Sequence, residues 1–258
     1  MMDLVETLAA LSQPTLVMAF LVFVRVGAVM AVLPAFGEKT VSVQIRLVLT
    51  LAFSAIVFPA VTIESSLLQT APLILWPAMF AEVVSGLTLG LIVRLTVIAL
   101  QVAGTIISQS TSLSQLFGGG AVDAQPPMGH ILFTAGLALA VTFGLHERVA
   151  LMIIESYDYL PAGRFPDSSE LSLLMVGHVA HSFSLSFSFA APFLIASVIY
   201  NTALGVINRA MPQLMVAFVG APAITLGGLI LLFLTAPLLL EIWIGHFHRA
   251  LENPIGAY

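Results

Sequence analysis

Apolar residues run along this chain in long blocks, separated by short clusters of proline, glycine and charge. A helix that crosses a lipid bilayer needs about 20 mostly apolar residues, and several blocks reach that length. Residues 15–33 form the first, apolar apart from Arg25 and ended by Pro34 and Gly37-Glu38-Lys39. The second covers 41–63, with Arg46 near its start and Pro59 near its end. A third, 72 to about 109, contains Glu82 and Arg94 and is too long for one perpendicular span. The fourth, 131–156, is interrupted by His146-Glu147-Arg148. Residues 171–208 hold no Asp, Glu, Lys or Arg and predict one long helix, or two divided near Pro192. The last block, 213–244, is apolar except for Glu241, with Pro222, Gly227-Gly228 and Pro237 inside it.

This pattern predicts an all-α integral membrane protein: five to seven hydrophobic helices in a single domain over residues 1–258. One extended stretch is non-helical in composition. Residues 108–128, SQSTSLSQLFGGGAVDAQPPM, are rich in Ser, Gly and Pro, as loops are.

Composition sharpens the class. Hydrophobic residues make up 59% of the 258 and charged ones 8%, against roughly 25% charged in soluble domains. A soluble fold of this size lacks the polar residues to cover its outside, so lipid, or a protein assembly in its place, is the solvent for much of the chain. The absence of cysteine excludes disulfides, thiolate catalysis and cysteine metal sites. A net charge of −5 without any basic run offers nothing to nucleic acid. The N-terminus carries Asp3 and Glu6 and no base, unlike a signal peptide, so the first apolar stretch is expected to be retained. Alternating the loops puts Lys39, Arg46 and Arg209 on one side and Arg148, Arg164 and Arg249 on the other. Such a balance gives no orientation by the excess of Lys and Arg that normally sets it. Either the topology is weakly specified, or partner subunits place these helices.

No catalytic, metal or cofactor set emerges. His146-Glu147 is followed by Ala150 where a zinc-protease motif needs its second histidine. Nucleophile-elbow and phosphate-loop motifs are absent. His178 and His181 are spaced to share a metal, but no third ligand is near in sequence, and polar packing is the preferred reading. His246 and His248, near the chain's end, are accounted for by solvation.

Arg25, Glu82, Arg94 and Glu241 are more informative, because a charge within an apolar span costs at least about 2.5 kcal/mol. Glu82 and Arg94 could belong to a proton or substrate relay. An ion pair to a neighbouring helix is preferred, since a relay needs several acids or histidines at depth. Twelve residues apart, they stand roughly 18 Å apart along one helix and do not pair with each other. Gly86 and Gly90 form a GxxxG step that lets helices approach closely and is read as part of an assembly interface. In HSFSLSFSF, Ser182/Ser186, Ser184/Ser188 and Phe183/Phe187 are helical i, i+4 pairs, pointing to a protein-contacting or wet helix. Asn201, Gly205 and Arg209 recur every four residues on one stripe that ends at Pro212-Gln213. The stripe reads as an assembly interface, or as a helix end with Arg209 reaching for water.

In order along the chain, these features resemble the FliR family of flagellar type III export-gate subunits. The resemblance covers about residues 14–245. It is carried by Arg25-Val-Gly27, Pro34-x-Phe36-Gly37 and residues 41–46, then Glu82 with Gly86 and Gly90, then Ala103-Gly104 and Ser108. Glu155-Ser-Tyr157, Leu160-Pro-x-Gly163, Gly205-x3-Arg209-x2-Pro-Gln213 and Val219-Gly220-x-Pro222 complete the series, the last looking more flagellar than injectisome-like. The resemblance implies a helical subunit in the bacterial inner membrane at the flagellar basal body. Residues 1 to about 185 would be FliP-like and 186–258 FliQ-like. It would assemble with FliP-like and FliQ-like subunits into a pore for unfolded flagellar substrates, with FlhB-like and FlhA-like proteins at the entrance, and without cofactor or turnover. The family's lumen plug corresponds to Leu113, Leu116, Phe117, Gly118, Gly119 and Gly120. Leucine and phenylalanine there can exclude water, and the glycines permit backbone states closed to other residues. Where relatives often carry Asp-Pro-Gln, this chain has Asp123-Ala-Gln-Pro126. A small secondary transporter or channel is the alternative, since it too needs intramembrane charges and proline-broken helices.

Overall fold

A computed structural model describes residues 2–38, 41–61, 75–111, 127–211 and 216–256, with side chains described from Thr15 onward except at 216–219 and 221. Seven α-helices are found among the described residues. They are α1 (Met2–Val32), α2 (Val43–Val57, continued by a 3-10 turn at Phe58–Ala60), α3 (Leu75–Ser110), α4 (Pro127–Thr142), α5 (Leu145–Tyr159), α6 (Ser168–Ala210) and α7 (Val216–Glu252). Five are long and apolar enough to cross a membrane, and six if α4 and α5 count together as one span.

The elements follow the apolar blocks, though α1 begins at Met2, ahead of the first block, and α7 runs on to Glu252, past the last. The fourth block breaks at Gly144 rather than at the charged triplet. Gly144 has φ 79°, a left-handed state that glycine adopts without a Cβ clash, and it separates the end of α4 from the start of α5. His146, Glu147 and Arg148 follow Leu145 in the first turn of α5, His146 and Glu147 exposed and Arg148 half-buried. Pro192 does not divide the long segment: α6 is one helix of 43 residues, and α7 likewise continues through Pro222 and Pro237. Each proline removes one backbone donor, a loss that neighbouring groups in an apolar bundle can absorb.

By packing, the chain divides into two compact units, one of Met1–Arg94, Gly144–His178 and Arg249–Tyr258, the other of Leu95–Phe143 and Val179–His248. In the first, Val26, Val29 and Met30 of α1, Leu89, Ile92 and Val93 of α3, and Val149 and Ile153 of α5 are fully buried. The approach of α3 to α1 is close enough that a Cβ at Gly86 would stand 2.5 Å from the Arg25 carbonyl oxygen, and one at Gly90 3.1 Å from that of Val29. Arg94 donates to the Val32 carbonyl at 3.0 Å, satisfying one of the acceptors that a helix end leaves open.

In the second unit, side chains of α6 and α7 donate to the backbone of α3. Ser182 donates to the Leu95 carbonyl at 2.8 Å, Ser197 to that of Ser110 at 2.7 Å, and the Trp243 indole N–H to that of Thr96 at 2.9 Å. Trp243 is fully buried and stacks on Phe247 with ring centroids 4.9 Å apart. Gly104 and Gly129 let α3 and α4 meet backbone to backbone.

A Cβ at Gly104 would overlap the Gly129 backbone, so Gly104→Ala is expected to lower stability by about 1–3 kcal/mol. Gly177→Ala, where a Cβ meets nothing within 4 Å, is expected to raise it by up to about 1 kcal/mol through helix propensity. Thermal unfolding in mild detergent, followed by circular dichroism, separates the two.

Candidate functional site

Arg25 of α1 and Glu82 of α3 meet inside the first unit, both 0% exposed. The guanidinium grips the carboxylate with two nitrogens: Nε to Oε2 at 2.6 Å and Nη2 to Oε1 at 3.3 Å. Its remaining reach is also used. Nη1 donates to the Ser156 hydroxyl at 3.1 Å, and Nη2 donates to the Leu160 carbonyl at 2.8 Å. The cation lies 3.7 Å from the centre of the Tyr157 ring. Glu82 Oε1 in turn accepts the Gly163 N–H at 2.7 Å. Gly163 stands at φ 69°, so a side chain there would strain the turn that presents this donor.

One neutral, bidentate pair therefore ties α1, α3, the end of α5 and the 160–163 turn. Such a bidentate pair fixes the geometry of both groups and commits both carboxylate oxygens of Glu82 to Arg25. The partner of Glu82 was not readable from the sequence, since Arg25 lies 57 positions away. Ser156, Tyr157, Leu160 and Gly163 stood in the sequence as family features without a role. Their only individual signals were the left-handed requirement at Gly163 and an aromatic beside a buried cation.

Arg94 lies on the same helix as Glu82 without touching it; besides the Val32 carbonyl it faces Glu38 at 3.8 Å, with its side chain 35% exposed. Gly86 and Gly90 form the close-approach step read from the sequence. They face α1 of the same chain, because the turn of α3 that carries Glu82 toward Arg25 turns these glycines the same way. His178 and His181 do not share a partner. His178 Nε2 lies 2.8 Å from the Pro254 carbonyl oxygen, and His181 Nε2 3.2 Å from His246 Nδ1. Among the described residues no cluster of three metal-ligating side chains occurs.

The outward surface has a different character. Asn201, Gly205 and Arg209 are all exposed on α6, and a Cβ at Gly205 would meet nothing within 4 Å. Asn201 donates to the Ser197 hydroxyl at 3.1 Å within the stripe. Of the serine pairs, Ser182 and Ser186 are buried, while Ser184 and Ser188 lie outside with Phe183 and Phe187. Pro212 and Gln213 lie outside the described residues, as do Leu113, Leu116, Phe117, Gly118, Gly119 and Gly120.

If the Arg25–Glu82 cluster is structural, Arg25→Met alone strands the carboxylate and is expected to cost about 3–5 kcal/mol. The double variant Arg25→Met/Glu82→Leu is expected to regain most of that loss. Unfolding midpoints of the single and double variants decide it, and strict additivity would contradict the pairing.

Residues 16–250 match the family described as "Bacterial export proteins, family 1". The chain is 32% identical over 236 residues to the flagellar biosynthetic protein FliR of Caulobacter vibrioides, covering 91% of this chain and 94% of that one. It is 30% identical over 239 residues to the protein of the same name from Aquifex aeolicus, covering 92% of each. The corresponding protein of Bacillus subtilis is 26% identical over 207 residues, covering 78% of this chain and 79% of its own.

Proposed function

The chain belongs to the bacterial export proteins, family 1, and from that membership we propose that it is a structural and gating subunit of the flagellar type III export gate. In this reading it sits in the bacterial inner membrane at the basal body. With FliP-like and FliQ-like subunits it forms a pore for unfolded flagellar substrates, with FlhB-like and FlhA-like proteins at the entrance. Relatives named as flagellar biosynthetic proteins over nearly their whole length support the flagellar assignment.

The observation that carries the reading is a contrast between inside and outside. Within, Arg25 and Glu82 pair bidentately, and Ser156, Leu160 and Gly163 hold the pair from its other sides. Outside, α6 offers an exposed Asn201, Gly205 and Arg209 stripe among large apolar residues such as Ile195, Val198 and Val206. Lipid gives an asparagine and an arginine no partner, whereas a neighbouring subunit can supply both hydrogen-bond partners and a helix to pack on the glycine. A FliP-like part up to about residue 185 and a FliQ-like part after it belong to this proposal, as does a plug made by Leu113, Leu116, Phe117 and Gly118-Gly119-Gly120. The subunit's chemistry is steric, and the energy for export comes from elsewhere in the apparatus. A secondary transporter would instead need an ionisable group free to load and unload, whereas Glu82 is held by Arg25 and the Gly163 N–H.

Reconstituted alone in liposomes, the chain is expected to carry no ion or solute flux; flux by the chain alone would sink the gate-subunit reading. Deleting residues 117–120 should leave the assembled complex intact but leaky to small ions, measured as conductance across planar bilayers. An unchanged leak would remove this segment from the plug.

Gly205→Leu should leave the chain's own stability unchanged, because a side chain there meets open space. It should nevertheless abolish the high-mass complex on size-exclusion chromatography. Intact complexes carrying it would show the stripe to be no interface.

A further inference from the structure

The inward face of α7 is apolar and buried: Leu232, Leu239, Trp243 and Phe247 are at most 6% exposed. At 3.6 residues per turn, Glu241 points about 200° away from both Leu239 and Trp243, and it is exposed. It shares the outward face with Gly227, Ile230, Leu234 and Leu238, each three or four positions from the next. Ile230, Leu234 and Leu238 are 52%, 67% and 58% exposed, and a Cβ at Gly227 would meet nothing within 4 Å. Glu241 forms no ion pair among the described residues. The nearest arginine on its own helix, Arg249, is eight residues on, about 12 Å along the axis.

Neither simple solvent suits this face. Water would meet a continuous apolar surface within a segment of mean hydropathy 2.3. Lipid would meet an unpaired carboxylate, which hydrocarbon does not solvate. A protein helix satisfies both demands if its own face is apolar and carries one cation. We infer that the outward face of α7 centred on Glu241 docks a helix of a partner subunit, and that a lysine or arginine of that helix pairs with Glu241. Gly227 gives the same helix a point of close approach. The inference rests on the reading of the chain as a subunit of a larger assembly, and it assigns to one carboxylate the choice of register between the two helices, as buried polar groups do at helix seams.

The test uses the tagged chain in native membranes, with a photocrosslinking amino acid at Leu238 and the complex purified in mild detergent. The expected result is a crosslink to one co-purifying subunit, reduced at least tenfold by Glu241→Lys and less by Glu241→Gln. Replacing the basic residue nearest the crosslink in the partner by glutamate should restore the product in the Glu241→Lys background. Glu241→Gln keeps the test decisive should the reversed charge prevent insertion. Crosslinks to lipid alone, or yields that neither substitution alters, would overturn the assignment while leaving the subunit reading intact. A wild-type chain that purifies without any partner would overturn both.

Discussion

A buried cation must find its anion, and in this chain that requirement organises the first unit. Arg25 and Glu82 come from helices separated by 57 positions, and neither is tolerable in an apolar interior without the other. Bringing them together brings α1 against α3, where Gly86 and Gly90 permit contact with the α1 backbone. The guanidinium has further donors than one carboxylate can use. Their capture by Ser156 and the Leu160 carbonyl fixes the end of α5, and the second lone pair of Glu82 Oε1 fixes the turn at Gly163. Packing of Val, Leu and Ile alone would tolerate several registers of these helices; a bidentate pair tolerates one.

The second unit solves the same problem with neutral groups. Hydroxyls and an indole donate to carbonyls of α3, and paired glycines bring α3 against α4. In a medium without water, such bonds count because their donors have few alternative partners. Polar residues such as Ser182, Ser186 and Ser197 thus face inward, while large apolar ones such as Phe233 and Leu234 face outward at 81% and 67% exposure. That inversion is expected of a protein surrounded by lipid or by other helices.

Much of this was legible in the sequence. The apolar blocks gave the existence and most ends of the long helices, because length and hydropathy are local properties. They did not give the start of α1 at Met2 or the end of α7 at Glu252, where the helix runs on through polar residues. Breaks were less legible. The charged triplet 146–148 looks like an interruption, yet the helix breaks one residue before α5, at Gly144, where backbone conformation outranks side-chain polarity. Pro192 looked like a possible divider and lies inside a continuous helix. The glycine step at Gly86 and Gly90 announced a close approach without naming its partner, which is α1 of the same chain. Pairings are non-local, so Arg25 and Glu82 stood out singly as charges in apolar runs and not as a pair. The outward stripe at Asn201, Gly205 and Arg209 was visible as spacing, and its exposure is what the structure adds.

The account's central claim is that this chain is one subunit of a larger export assembly, its outward faces completed by other proteins. Native mass spectrometry of the complex released from membranes by a tagged copy tests it most directly. The claim predicts one mass containing this chain with FliP-like and FliQ-like subunits in a fixed ratio. A single species with the mass of this chain alone, stable and folded, would contradict it.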